Sequence, residues 1–333
     1  MKKIDMQLYL LMQGDRMNEK ILITGSTGFI GKGVVSKLKS NYEIHTLERY
    51  ITGRYTLDNN TINHYANLTD YSAVRNIIRE VKPDYVIHLA AISAVSFSYE
   101  HPLEVSEVNY LGSVNLAEAC YKEVPDLKQF VTAGTSEMYG MELRDKEKKL
   151  TETSPLIPNS PYAVAKTAFS HYLNYMHLAY DFPYTEMRPF NTYGRTDNRH
   201  FFIERTITQM IVNPNGKVYL GDPKAIRDWL YADDHVQGYI KALGNTKAIG
   251  ESFNLSTGIG YTTEQTAEYI ANLTGFTGHI FWHATPPRPL DAEILIGDNS
   301  KSRRVLGWNP EYSFEKGLRK TIEYWSDSKR TIQ

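Results

Sequence analysis

The stretch GTSEMYG, Gly134 to Gly140, sets two hydroxyls, Thr135 and Ser136, directly before a carboxylate, Glu137. A carboxylate beside hydroxyls is equipped to take a proton and to pass one on. In SPYAVAK, Tyr162 and Lys166 stand four residues apart, one turn apart on one face if the segment is helical. An ammonium beside a phenol favours the phenolate, so the pair is expected to bring the Tyr162 pKa down towards neutrality. Such a phenolate accepts the proton of an alcohol while hydride leaves the same carbon. Either group alone is equally at home on a solvated loop or an exposed helix face, so its meaning depends on the elements that carry it.

A departing hydride needs an acceptor, and the N-terminal region supplies the pattern for one. GSTGFIG, Gly25 to Gly31, follows the β-rich run KILITG and opens a helical stretch, GKGVVSKLKS. Glycines there let the backbone turn tightly against a pyrophosphate, while the helix N-terminus presents N–H donors. A second β-rich run, YEIHTLE, ends at Glu48, about twenty residues past the glycines, where a carboxylate binds the adenosine ribose hydroxyls. That favours NAD. Arg49 follows immediately and could hold a 2′-phosphate, which keeps NADP open.

The elements around these residues alternate. After YEIHTLE come the helical YSAVRNIIREV, the run DYVIHLAA, the long helical PLEVSEVNYLGSVNLAEACYKE and the run KQFVTAGTS. This order predicts an α/β fold, a Rossmann-type doubly wound parallel sheet with helices on both faces and ligands along the C-terminal strand edge. After about Arg188 the apolar runs shorten and are broken by NPNG, GDPKA and TPPRP, the pattern of a smaller α/β substrate domain. The boundaries read as 19–187 for the dinucleotide-binding domain, with a return segment near 228–255, and 188–333 for the second domain.

Composition narrows the class. The chain has 333 residues, 41% hydrophobic and 23% charged, with a formal net charge of -1, ordinary for a globular enzyme and without the basic excess of a nucleic-acid or membrane-surface binder. No apolar run reaches membrane-spanning length. The single cysteine, Cys120, reads as a core residue, excludes an intrachain disulfide and fits a reducing cytoplasm. No H-E-x-x-H or Cys/His cluster is present, so no metal is expected, and His235 reads as structural. Residues 1–16 read as a short extension before the first strand, and Arg144 to Lys149, RDKEKK, as a solvated loop.

Taken together, GSTGFIG, HLAA (His88 to Ala91), GTSEMYG, SPYAVAK, RPFNTYGR and RDWLYADDH resemble the extended short-chain dehydrogenases/reductases, the nucleotide-sugar epimerase/dehydratase superfamily, from about Glu19 to Trp325. The resemblance implies NAD contacts at Gly25, Thr27, Gly28, Phe29, Ile30, Gly31, Glu48, Arg49, Asn67, Leu68, Leu89, Ala90, Ala91, Tyr162 and Lys166. It implies Tyr162 as base, Lys166 as its partner and Thr135 as the hydroxyl on the sugar O4. For the nucleoside-diphosphate sugar it implies Arg227 and Arg288 as diphosphate clamps and Asn191 as a diphosphate or sugar contact, joined by Arg195 and Asn198. Homodimers of the family pair two long helices from each subunit into a four-helix bundle. Its members often carry an acidic residue where Asn67 stands.

TSE is similar to the GDP-mannose 4,6-dehydratases. In that chemistry oxidation at C4 acidifies the C5 proton, a carboxylate removes it as the C6 hydroxyl leaves as water, and hydride returns to C6. Thymidine-sugar dehydratases carry an Asp at Ser136, so here Glu137 itself, or water through Ser136, must protonate the leaving oxygen. UDP-glucuronate decarboxylases look alike in this loop, but RDWLYADDH is similar to the dehydratases nearly residue for residue. A 4-epimerase is the third reading, since its loop usually lacks the carboxylate.

Overall fold

A computed structural model describes residues 19–49, 60–140, 145, 148–196, 198–285 and 288–327. The N-terminal extension and half of the RDKEKK loop lie outside the described residues. The first strands are β1 (Lys20–Thr24), β2 (Glu43–Glu48), β3 (Ile62–Tyr65), β4 (Tyr85–His88), β5 (Gln129–Ala133) and β6 (Tyr184–Pro189). They pair in parallel, and with β10 (Glu251–Leu255) outside β6 the sheet order is β10-β6-β5-β4-β1-β2-β3. The fully buried Ile21, Leu22, Ile23, Val86, Ile87, Phe130 and Val131 are the near-continuous apolar runs of strands covered on both faces.

The helices are placed by local signals. Helix α1 (Phe29–Leu38) starts from Gly28, which offers no side-chain cap. Helix α2 (Tyr71–Val81) is capped by Asp70, which accepts from Ala73 N at 3.0 Å, and buries Val74, Ile78 and Val81 at helical spacing. Each such side chain contributes about 1.5–3 kcal/mol of burial. The expected single helix before β5 is divided: Pro102–Ser106, a π-helical turn at Glu107–Leu111, then α3 (Gly112–Glu123). In the π turn the Asn109 side chain leaves the helix pattern to bond Ile92 N and Ile92 O, at 2.8 and 2.9 Å, a local role of the kind π turns serve. Helix α4 (Pro161–Tyr180) begins where Ser160 Oγ accepts from Ala163 N, 3.2 Å.

The chain divides into two compact units. The first comprises the residues up to Ala133, Ala165–Met187 and Tyr239–Ser252, and its core includes Leu22, Leu116, Cys120, Phe130, Phe169 and Leu173. The second comprises Gly134–Val164, Arg188–Gly238 and the residues from Phe253 onward. Gly134–Val164 groups with the second unit rather than with the strands before it, because Tyr139, Leu150 and Leu156 share a core with Phe190 and Ile294. Within that unit β7 (Asn191–Tyr193), β9 (Ile226–Tyr231), β11 (Gly260–Thr262) and β13 (Ile294–Leu295) form one small sheet, and β8 (Lys217–Tyr219) pairs β12 (His279–Phe281). Helices α5 (Phe202–Val212), α6 (Ala232–Ala242), α7 (Thr263–Thr274) and α8 (Phe314–Ser326) complete the fold.

Candidate active site

Parallel pairing brings the C-terminal ends of β1, β2, β3 and β4 to one edge, and the first unit's candidate residues follow those ends. The glycine loop leaves β1 and packs on the loop after β4: Ala90 N donates to Thr24 Oγ1 at 3.1 Å. A Cβ on Gly31 would lie 2.1 Å from Gly25 O, so the turn closes only with glycine there. The Glu48 carboxylate reaches this loop, accepting from Ser26 N (2.9 Å), Ser26 Oγ (2.6 Å) and Thr27 Oγ1 (3.1 Å). A close-packed glycine turn, a helix start without a side-chain cap and a carboxylate at the second strand end fit the adenosine diphosphate half of NAD. Arg49 is exposed, and the exposed Asn67 uses its carbonyl on Thr69 N at 3.2 Å, while Leu68 is buried with its carbonyl bonded by Asn115 Nδ2.

Behind this edge His88 is fully buried between Thr24 Oγ1 (2.7 Å to Nδ1) and Ser113 Oγ (2.8 Å to Nε2). Ser113 Oγ donates onward to Asn109 O, and Thr24 Oγ1 already receives Ala90 N. Burial, then Lys166, lowers the His88 pKa to about 3. It is a neutral strut for the loop Leu89–Ala91 rather than a proton carrier.

The TSE residues lie in the second unit. Ser136–Met138 is one 3₁₀ turn, capped by Thr135, whose Oγ1 accepts from Glu137 N at 3.3 Å. Thr135, Ser136 and Glu137 are all buried, and Glu137 Oε2 has no hydrogen-bond partner among the described residues. The turn is nailed down after Glu137. Tyr139 donates to Asn254 Oδ1 at 2.7 Å and accepts from Arg188 at 3.1 Å. Gly140 takes φ 51°, where a Cβ would meet Ile157 O at 1.9 Å. The same Thr135 hydroxyl bonds the Tyr162 phenol and holds its pKa down, as does the charge of Arg195.

One expectation is corrected here. Tyr162 is not brought towards neutrality: burial, joined by the charge of Glu137, outweighs Thr135 and Arg195 and pushes the phenol up to about 12. Lys166 does stand one turn on in α4, but its Nζ donates to Ala133 O at 2.7 Å, and burial lowers it to about 8. The pair shares a helix, as its spacing implies, without the direct charge compensation expected of it.

Of the residues expected on the sugar nucleotide, Arg227 and Arg288 are brought together: both reach Asp291 Oδ1, at 2.9 and 3.5 Å. Asn191 Oδ1 is buried without a hydrogen-bond partner among the described residues. Arg195 lies over the Phe201 ring, 3.6 Å from its centroid, and donates to Thr192 O. Asn198 caps His200 N at 2.9 Å. Sequence reasoning missed Glu204, a fully buried carboxylate that receives Gly194 N and Arg195 N at 2.8 and 2.9 Å and so fixes the Arg195 backbone. Its signal was an acid on the apolar face of FIERTIT. His235 is buried on Thr192 Oγ1 at 3.0 Å and kept neutral, its pKa lowered to about 3 by burial and then Arg195. No group of three metal-ligating side chains exists among the described residues.

A doubly wound parallel sheet with a glycine turn after its first strand and a carboxylate after its second defines a dinucleotide-binding α/β protein. The family profile described as GDP-mannose 4,6 dehydratase matches residues 22–321. The chain belongs to the extended short-chain dehydrogenase/reductase family of nucleotide-sugar epimerases and dehydratases. It is 31% identical to the GDP-mannose 4,6-dehydratase of Vibrio cholerae, over 90% of this chain and 92% of the relative. It is 29% identical to the UDP-glucose 4-epimerase of Mycolicibacterium smegmatis, over 92% and 98%. Among solved structures, the UDP-glucose 4-epimerase of Thermus thermophilus in complex with NAD superposes with TM-score 0.82 at 29% identity, covering 93% of this chain and 99% of that one.

Proposed function

We propose that the protein is an NAD-dependent nucleotide-sugar 4,6-dehydratase acting on a GDP-mannose-like hexose. The observation that carries this reading is Glu137, a carboxylate 6% exposed with one oxygen unpartnered, held in the turn whose Thr135 hydroxyl bonds Tyr162. A 4-epimerase needs a proton acceptor at O4 and nothing at C5. For it, a buried carboxylate with an unpartnered oxygen would cost stability with no function to offset the cost.

Bound NAD supplies the acceptor for hydride from C4, its return to C6 and, when oxidised, a positive charge. The chain's own residues do the rest. Tyr162 takes the O4 proton, steadied by Thr135 and by the charge of Arg195. Glu137 takes the C5 proton, the departing C6 oxygen is protonated by Glu137 itself or through the Ser136 hydroxyl, and a proton from solvent returns to C5 through Glu137 as hydride reaches C6. The position of Glu48 at the glycine loop supports NAD over NADP, because a 2′-phosphate would meet a carboxylate. The convergence of Arg227 and Arg288 on one carboxylate supports their role as a diphosphate clamp.

The GDP-mannose relative and the family profile support the choice of sugar. Helices α3 and α4 leave Tyr121, Tyr175, Leu178 and Tyr180 exposed, which supports a homodimer through a four-helix bundle. No helix among the described residues is long and apolar enough to cross a membrane, and one reduced, buried cysteine fits the cytoplasm. A panel of GDP-, UDP-, CDP- and dTDP-sugars read by mass spectrometry tests the proposal. Loss of water from a neutral hexose is expected; an unchanged mass, or loss of carbon dioxide from a uronic acid, would overturn it.

A further inference from the structure

Glu186 lies in β6, in register with Thr132 of β5, and is 1% exposed. A carboxylate is out of place in a strand covered on both faces, where an apolar side chain is the default. Its Oε2 accepts from Ser170 Oγ at 2.9 Å and from Ser252 Oγ at 2.8 Å. Ser170 lies one turn past Lys166 on the same face of α4. Lys166, 3% exposed, donates from Nζ to Ala133 O, and Ala133 is in register with Met187, the residue after Glu186. The strand pairing and the helix face thus bring an acid and an ammonium into one buried region, where an uncompensated charge of either sign would be costly.

We propose that Glu186 is a positioning residue for the Tyr162–Lys166 pair, a buried counter-charge that keeps the Lys166 ammonium protonated and on Ala133 O. The proposal rests on reading Tyr162 and Lys166 as the proton-transfer pair. Burial depresses Lys166 to about 8, and Glu186 opposes that fall. The titratable groups that interact with Lys166 are Glu186 from β6 and His88 from β4. His88 is neutral near neutral pH, so Glu186 is the acidic group of the set. Two serine hydroxyls hold that charge in orientation, and an amide oxygen could accept from both equally well.

The test follows Lys166 itself, in the cofactor-free chain, by NMR of Cε-labelled lysine. Its signal is identified by its loss in Lys166→Met. Wild type should titrate near 8. Glu186→Gln should titrate roughly one pH unit or more lower, because desolvation then acts unopposed. Glu186→Asp, which keeps the charge, should restore most of the difference. Glu186→Met, a neutral side chain suited to a buried strand, gives the same reading if the Gln variant does not fold. The alkaline limb of the kcat/KM profile should move down with the titration. An unchanged midpoint in the neutral variants overturns the proposal whatever their activity. A shifted midpoint with an unshifted rate profile upholds the counter-charge and contradicts the assignment of Lys166 to proton transfer.

Discussion

Thr135 serves two partners at once: its oxygen accepts the Glu137 amide and its hydroxyl bonds the Tyr162 phenol. One side chain therefore ties the carboxylate's backbone to the phenol's oxygen. Around that tie, burial keeps Tyr162 protonated, with its pKa pushed up to about 12. A raised phenol pKa means the neutral form persists as pH rises, so the cofactor-free enzyme should show no Tyr162 phenolate up to about pH 10. An ultraviolet difference titration of wild type against Tyr162→Phe checks this, and ionisation near neutrality would contradict it. The same variant should lose turnover by about 10²–10⁴-fold, the usual range for general base catalysis, while cofactor affinity stays near wild type. A Phe variant that kept most of its rate would remove Tyr162 from the chemistry.

Among the elements, β9 does the most to assemble the second unit. Its Asp228, fully buried, accepts from Thr257 N (2.9 Å), Thr257 Oγ1 (2.6 Å), Gly258 N (2.8 Å) and Gly297 N (3.3 Å), stapling two loops to the strand that carries Arg227. Asp228→Asn replaces an acceptor with an amide that faces some of these donors with donors of its own. It should lower stability by about 1–3 kcal/mol, read as a lower midpoint in urea, and a wild-type midpoint would show the staple to be dispensable. Little of this was legible beforehand, because the acceptor's partners lie in loops far along the chain. The four early strands and the helices between them could be read from apolar runs and helical patterns, which are local. The strand β3, INHY, was missed because it is short, polar and at the sheet edge. In the site, the glycine turn, Glu48 and TSE were readable as types at fixed spacings. The raised phenol was not, since it depends on how much protein buries Tyr162, and Glu186 and Glu204 left only the trace of an acid in an apolar pattern.

For the whole molecule the proposal makes two claims, one of assembly and one of chemistry. Leu178 is 77% exposed on α4 beside Tyr175 and Tyr180, so light scattering should report a dimer at micromolar concentration, and Leu178→Glu should shift it towards monomer. A wild-type monomer would contradict the four-helix contact. The chemical claim is that Glu137 removes the C5 proton, and it is tested most directly by the product formed in deuterium oxide. With its sugar nucleotide, wild type should give a 4-keto-6-deoxy product that has lost one water and carries deuterium at C5, by mass spectrometry and NMR. Glu137→Gln should still oxidise C4, because Tyr162 and Lys166 are intact, but should yield a keto sugar that keeps its C6 oxygen. Elimination by Glu137→Gln at the wild-type rate, or a wild-type product of unchanged mass without deuterium at C5, would contradict the account.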